Sequence, residues 1–86
     1  MNLEQKILSV VGITPAPSYY HTSSLGRIVG VISNPHDFHS VVTQLKSMFG
    51  PSKPLRIINH QWRVDDAIVR MTQHKASRRM LVLVID

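Results

Sequence analysis

The residues whose types and spacing could support chemistry lie where an apolar strand is followed by a helix. In the sequence the run RIVGVI ends at Ile32, and Ser33, Asn34 and Pro35 come next. This pattern predicts that Asn34 caps a helix in which Pro35 takes the first position. Unpaired N–H groups at such a helix start attract phosphate or carboxylate. We therefore predict an anion-binding corner formed by Ser33, Asn34, His36, His60 and Arg63.

Metal chemistry has few residues to use, because the chain contains no cysteine. His36 and His39 are spaced i, i+3, which places them about 60° apart on a helix. Together with His60 they form the only conceivable set of metal ligands. No H-E-x-x-H pattern accompanies these histidines. The prediction is that the protein holds no metal and no cofactor.

Catalytic motifs are also missing from the sequence. It contains no G-x-S-x-G, no phosphate-binding glycine loop and no G-x-G-x-x-G. Asp65 and Asp66 are adjacent, so on a helix they would point about 100° apart and would not converge on a substrate. We predict a non-enzymatic protein. An enzyme acting on a phosphorylated small molecule at the Asn34 corner would need residues from a second subunit.

Positive charge is concentrated in one part of the chain. The net charge is +5, and eight of the ten lysines and arginines lie between Lys46 and Arg79. A basic region favours an acidic partner, and Trp62 could stack on a base. Surplus charge that only confers solubility is the other interpretation. The predicted nucleic-acid contacts are Arg56, Trp62, Arg63, Arg70, Lys75, Arg78 and Arg79.

The N-terminal residues are predicted to form a short helix and a linker. Asn2 and Gln5 have the spacing of a capping box, which predicts a helix over residues 2–12. An uncharged linker with two prolines follows over residues 13–25. A helix of about 11 residues is not stable alone in water, so it must dock on the sheet or on a partner. The predicted protein interface consists of Leu3, Ile7, Val10, Tyr19 and Tyr20.

The rest of the chain, residues 26–86, is predicted to be a βαβαβ core. Apolar β-branched runs predict strands over residues 27–32, 55–60 and 80–85. One predicted helix begins at Pro35, and a second has an apolar stripe made of Val64, Ala67, Ile68 and Met71. Such alternation is typical of right-handed βαβ crossovers. The predicted fold class is therefore α/β, a small single domain with the order α-β-α-β-α-β and a three-stranded, mostly parallel sheet.

An exposed apolar edge strand would have consequences for assembly. The final run, MLVLVI, is predicted to lie at an edge of this sheet, where it would invite pairing with another copy of the chain. The leading hypothesis is thus a protein-interaction or regulatory module that forms a homo-oligomer, and nucleic-acid binding is the alternative. No run approaches the roughly 20 apolar residues of a membrane span. Without a signal-peptide pattern, we predict a cytoplasmic protein.

One segment resembles a known family. The sequence from Ile58 to Asp86 resembles the C-terminal tail of medium-chain zinc-type dehydrogenases, in which an acidic helix start leads to a closing apolar strand. The resemblance covers about a third of the chain, and it implies a helix and a strand there. The cofactor fingerprint and the metal ligands of that family are missing, so no functional residue carries over.

Overall fold

A computed structural model describes residues 2–17, 26–54, 60–74 and 78–86. The helices are α1 (Leu3–Leu8) and α2 (Phe38–Phe49), and a 3-10 turn (Pro35–Asp37) leads into α2. The strands are β1 (Thr14–Pro15), β2 (Arg27–Ile32), β3 (Lys53–Pro54), β4 (His60–Val64), β5 (Ala67–Gln73) and β6 (Met80–Ile85). They form one sheet in the order β1-β2-β6-β5-β4-β3, and every neighbouring pair is antiparallel.

The predicted α/β fold with a three-stranded, mostly parallel sheet is therefore wrong. The described chain is mostly strands, and its sheet is antiparallel throughout. Apolar runs suggested parallel strands because both faces of such strands are covered. In β2 the neighbouring residues Val31 and Ile32 point to opposite faces, and both are buried, each in a different cluster. Burial on both faces thus arises here in central antiparallel strands.

The predicted second helix is instead a β-hairpin. β4 and β5 are joined by the two residues Asp65 and Asp66, and Val64 pairs directly with Ala67. Asp65 adopts a φ of 54°, a left-handed conformation that aspartate tolerates better than most residues. Three of the four residues of the predicted helical stripe, Val64, Ala67 and Met71, also fit the two-residue period of these strands, because they all face the main core. The left-handed turn at Asp65 is what distinguishes the hairpin from a helix here.

The strand Met80–Ile85 lies at the centre of the sheet and not at its edge. β6 pairs with β2 on one side and with β5 on the other, so the predicted edge strand is wrong. The edges are β1 and β3, which are two residues long and each contain a proline. Proline lacks the N–H that would pair with another chain, so both edges are blunted.

Both helices contribute to a core on one face of the sheet. This core includes Ile7 of α1 and Leu45 of α2, both completely buried, and Trp62 of β4. The predicted capping box is confirmed: Asn2 Oδ1 accepts from Gln5 N at 2.8 Å, and Gln5 Oε1 accepts from Asn2 N at 3.1 Å. The opposite face carries a smaller buried cluster of Val31, Leu81 and Leu83.

Two boundaries near the N-terminus differ from expectation. α1 ends at Leu8, four residues before the predicted end at Gly12. The predicted linker begins with Ile13, which is buried, and continues into strand β1. Residues 18–25 of that linker, and residues 55–59 of a predicted strand, lie outside the described residues. Within the described ranges, neither helix is long and apolar enough to cross a membrane.

Candidate anion-binding site

The antiparallel topology places most of the acidic residues at one end of the sheet. β2 and β5 finish at the end where β6 begins, and we call this the basic end, defined by Ser33, Gln73, Arg78 and Arg79. The other end carries the turn Asp65–Asp66, because Ile68 pairs with Ile85. The C-terminal residue Asp86 and the ion pair between Glu4 and Arg27 are also there. Four of the five acidic residues thus lie away from the basic end.

A pocket of about 460 Å³ opens at the basic end. Its interior is apolar, since Ile32 and Met80 are buried and Phe38 is half-buried. Its polar side chains are exposed, and none of the lining residues is a carboxylate. The fifth acidic residue, Asp37, belongs to the preceding 3-10 turn and does not line it. The complete lining is Ile32, Ser33, Pro35, Phe38, Gln73, Arg78, Arg79 and Met80.

The backbone between β5 and β6 holds the two arginines in place. Arg78 N donates to His74 O at 2.7 Å, and His74 N donates to Arg79 O at 2.7 Å. Gln73 Nε2 also donates to Arg78 O at 3.3 Å. Arg78 adopts a φ of 61°, which few residues other than glycine adopt. These bonds hold the backbone of Arg78 and Arg79 at the basic end.

The predicted anion corner is only partly assembled. Ser33 lines the pocket, and Asn34 Oδ1 accepts from His36 N at 3.0 Å. Asn34 is therefore a cap as predicted, although it caps the 3-10 turn and α2 itself begins at Phe38. His60 lies on the helix side of the sheet, and Arg63 points to the opposite face near the Asp65 turn.

The sequence did not predict that Arg78 and Arg79 line the same pocket as Ser33. A parallel strand would have placed their loop at the opposite end of the sheet, whereas the antiparallel β6 begins where β2 ends. The loop also brings Gln73 to the pocket, which no sequence signal had singled out.

A second basic surface lies on the face of the sheet opposite the helices. Gln61 pairs with Lys53 on one side and with Arg70 on the other, so the three residues form a row across β3, β4 and β5. Gln61 Oε1 accepts from Nη2 of Arg70 at 2.9 Å and from its Nε at 3.3 Å. Arg63 shares this face and is exposed. We call Lys53, Arg63 and Arg70 the basic strip.

Comparison with known proteins yields no relative. No family model, no curated protein and no solved structure matches this chain. Its function therefore has to be inferred from its own residues.

Trp62, which was predicted to stack on a base, is part of the core. Its side chain is 2% exposed, and its Nε1 donates to Gly50 O at 2.9 Å. Its ring lies 6.5 Å from that of Phe49 and 5.9 Å from that of His60. The other predicted nucleic-acid residues Arg56 and Lys75 are outside the described ranges.

The predicted protein interface is likewise divided between the core and the undescribed residues. Ile7 and Val10 are buried in the main core, and Leu3 packs against it half-buried. These three side chains hold α1 on its own sheet. Tyr19 and Tyr20 lie outside the described residues.

His60 occupies a partly buried aromatic site on the helix side. Its Nδ1 lies 2.7 Å from Ser52 Oγ, and its ring lies 6.2 Å from that of Phe38. Burial, and secondarily the charge of Lys46, lowers the pKa of His60 below 6.5. In the described part of the chain, no three His, Cys, Asp or Glu side chains are grouped so as to hold a metal.

The lowered pKa of His60 predicts a pH-dependent stability. In the folded state the neutral imidazole is favoured, so the unfolded chain binds more protons once the pH falls below 6.5. The free energy of unfolding should be highest above pH 6.5 and should fall as the pH drops toward the folded pKa. Urea unfolding on either side of that pH checks this. The His60→Gln variant should lose this component, and an identical pH profile for both proteins would contradict it.

Proposed function

We propose that this protein is a non-enzymatic binding module for nucleic acid, which it contacts through the basic end and the basic strip. The observation that supports this most is the separation of charge: Arg78 and Arg79 line a pocket without carboxylates, while four of the five acidic residues lie elsewhere. Such a surface attracts the phosphate backbone, because it carries basic side chains and few acidic side chains that would repel phosphate.

The residues available for contact indicate how a strand would be held. The phenylalanine and tryptophan side chains in the described ranges, Phe38, Phe49 and Trp62, are all at least partly buried, so none of them is a fully exposed ring on which successive bases could stack. The basic strip offers cations at a regular spacing instead: adjacent strands are about 4.8 Å apart, so Lys53 and Arg70 are about 10 Å apart across Gln61. Contacts of this kind go to phosphates and carry little sequence information. We therefore propose binding without strong sequence preference.

The structure gives less support to binding of a protein partner than the sequence did. Ile7 and Val10 are committed to the core, and β6 is central. A partner that contacts Tyr19 and Tyr20, or a homo-oligomer, stays a prediction. A cytoplasmic location, where nucleic acid is accessible, is part of the proposal.

A salt-dependent titration tests the proposed function. We expect the wild-type protein to bind a labelled single-stranded RNA of mixed sequence, measured by fluorescence anisotropy. The logarithm of the association constant should fall with the logarithm of salt concentration, by about 0.7 for each phosphate neutralised on a single strand. The double variant Lys53→Glu/Arg63→Glu should bind about tenfold more weakly and show a shallower salt slope, since two such contacts are removed.

A matched control separates a defined surface from general charge. The double variant Lys6→Glu/Lys46→Glu makes the same change in net charge at two exposed residues of α1 and α2. It should bind RNA nearly as well as the wild type. Equal losses in both double variants would show that only net charge matters, and absence of binding at low salt would refute the proposal.

A further inference from the structure

We propose that the pocket at the basic end binds the terminal nucleotide of a single strand through its terminal phosphate. This inference rests on the proposed function and adds to it a preference for strand ends. Backbone contacts on the basic strip are available to any part of a strand. A pocket admits only a group that can leave the path of the strand, and a terminal nucleotide is such a group.

The size and lining of the pocket suit one nucleotide. Small-ligand sites have volumes of about 300–1,000 Å³ and are largely apolar with a few polar groups. At about 460 Å³ this pocket falls in that range. Ile32, Phe38 and Met80 supply apolar surface for a base or sugar, and the amide of Gln73 can pair with a base edge.

The charged groups of the pocket suit a terminal phosphate in particular. A terminal phosphate carries more negative charge than a phosphodiester, about −1.5 to −2 near neutral pH. Arg78 and Arg79 are adjacent, and guanidinium groups match phosphate oxygens with paired hydrogen bonds. Ser33 can donate a further hydrogen bond from its hydroxyl group. Because no carboxylate lines the pocket, no negative charge of the lining repels the phosphate.

The left-handed backbone of Arg78 is a second, independent observation at the same place. A side chain with a φ of 61° is uncommon, and such residues cluster at ligand-binding and active sites. Glycine would adopt this conformation without cost. The arginine at this position is thus held against its backbone preference, at the lining of the pocket.

A comparison of linear and circular strands tests the inference. Labelled oligonucleotides of one sequence are prepared as a circle and as linear strands with a 5′-phosphate, a 3′-phosphate or hydroxyl ends. We expect one phosphorylated linear strand to bind at least about tenfold more tightly than the circle, the effect of one or two charge-assisted hydrogen bonds. A nucleoside monophosphate should compete for this extra affinity.

Two phenylalanine variants locate the effect. Ser33→Phe places a ring in the pocket and should remove the difference in affinity between linear and circular strands, because the terminal nucleotide of the linear strand can no longer enter. Ser47→Phe makes the same substitution at an exposed position of α2 outside the pocket and should preserve the difference. Thermal unfolding of both variants confirms that each is folded.

The outcomes separate this inference from the proposed function. Equal binding of circle and phosphorylated linear strand, both salt-dependent, overturns the pocket inference and supports the proposed function. Binding of the monophosphate alone, with no affinity for any strand, overturns both the proposed function and the strand-end inference. A linear preference that survives in Ser33→Phe also overturns the inference, because the preference would then arise outside the pocket.

Discussion

Replacement of Trp62 by alanine should lower the free energy of unfolding by about 3–5 kcal/mol, the usual cost of removing a large buried aromatic side chain. Trp62 is the largest of the fully buried side chains among the described residues. It contacts Phe49 and His60, and its Nε1 bonds to Gly50 O just beyond the end of α2. The substitution would therefore loosen the packing of α2 on β4 and leave a partly buried carbonyl without its donor. Urea unfolding followed by circular dichroism measures the loss.

A smaller change separates the two contributions of Trp62. Trp62→Phe keeps most of the apolar ring but removes the donor to Gly50 O, so it should cost about 1–3 kcal/mol. A domain of this size has a total stability of only about 4–13 kcal/mol, so Trp62→Ala can leave much of the population unfolded. A cost below that of Trp62→Phe would contradict the assignment of Trp62 to the core.

Replacement of Gly30 by alanine should destabilise the protein by about 1–3 kcal/mol, as overpacking typically does. A Cβ on Gly30 would lie 2.5 Å from Cγ2 of Ile13 and 3.1 Å from the carbonyl oxygen of Thr14. These atoms belong to the segment that forms β1, which pairs with β2 at this point. The expected result is loss of β1 pairing, measured as faster amide hydrogen exchange at Ala16, whose N donates to Val29 O, together with a lower free energy of unfolding in urea.

A double-mutant cycle assigns the Gly30 effect to its cause. Ile13→Ala removes the Cγ2 atom that the new methyl group would meet, at the cost of a buried side chain. The double variant Gly30→Ala/Ile13→Ala should therefore be more stable than the sum of the two single effects predicts. Strict additivity would show that the destabilisation of Gly30→Ala does not arise from this contact.

Local features of the fold could be predicted from the sequence. The capping box of Asn2 and Gln5 and the cap at Asn34 depend on residues at most three positions apart, and both are confirmed. The helix that follows Asn34 is confirmed as Phe38–Phe49, although it begins three residues after the predicted start at Pro35. It was predictable because Val41, Val42 and Leu45 repeat with one helical period. Such features depend little on the rest of the chain.

Strand pairing could not be predicted in the same way. The sequence around Asp65 fits a helix and a hairpin equally well, because Val64, Ala67 and Met71 satisfy both periods. Once a helix was assigned there, the handedness of βαβ units made the sheet parallel. With that assignment, Arg78 and Arg79 were predicted at the wrong end of the sheet, although both were recognised as candidate nucleic-acid contacts.

The candidate site depends on this pairing and so was only partly foreseen. Ser33 was identified because it follows directly after a strand. Its neighbours in the pocket, Gln73, Arg78 and Arg79, are at least 40 positions further along the chain and reach it through the pairing of β2 with β6. The contact of Ser52 with His60 likewise requires the short edge strand β3.

The most direct test of the central claim is a map of amide chemical shifts during titration with single-stranded RNA at low salt. We expect the largest changes at the basic end and on the basic strip, at Ser33, Gln73 and Arg79 and around Gln61 and Arg70. The amides of Glu4 and Asp86, at the other end of the sheet and outside the basic strip, should change little. Changes centred on that acidic end, or none at saturating RNA, would contradict the proposal that the basic end binds nucleic acid.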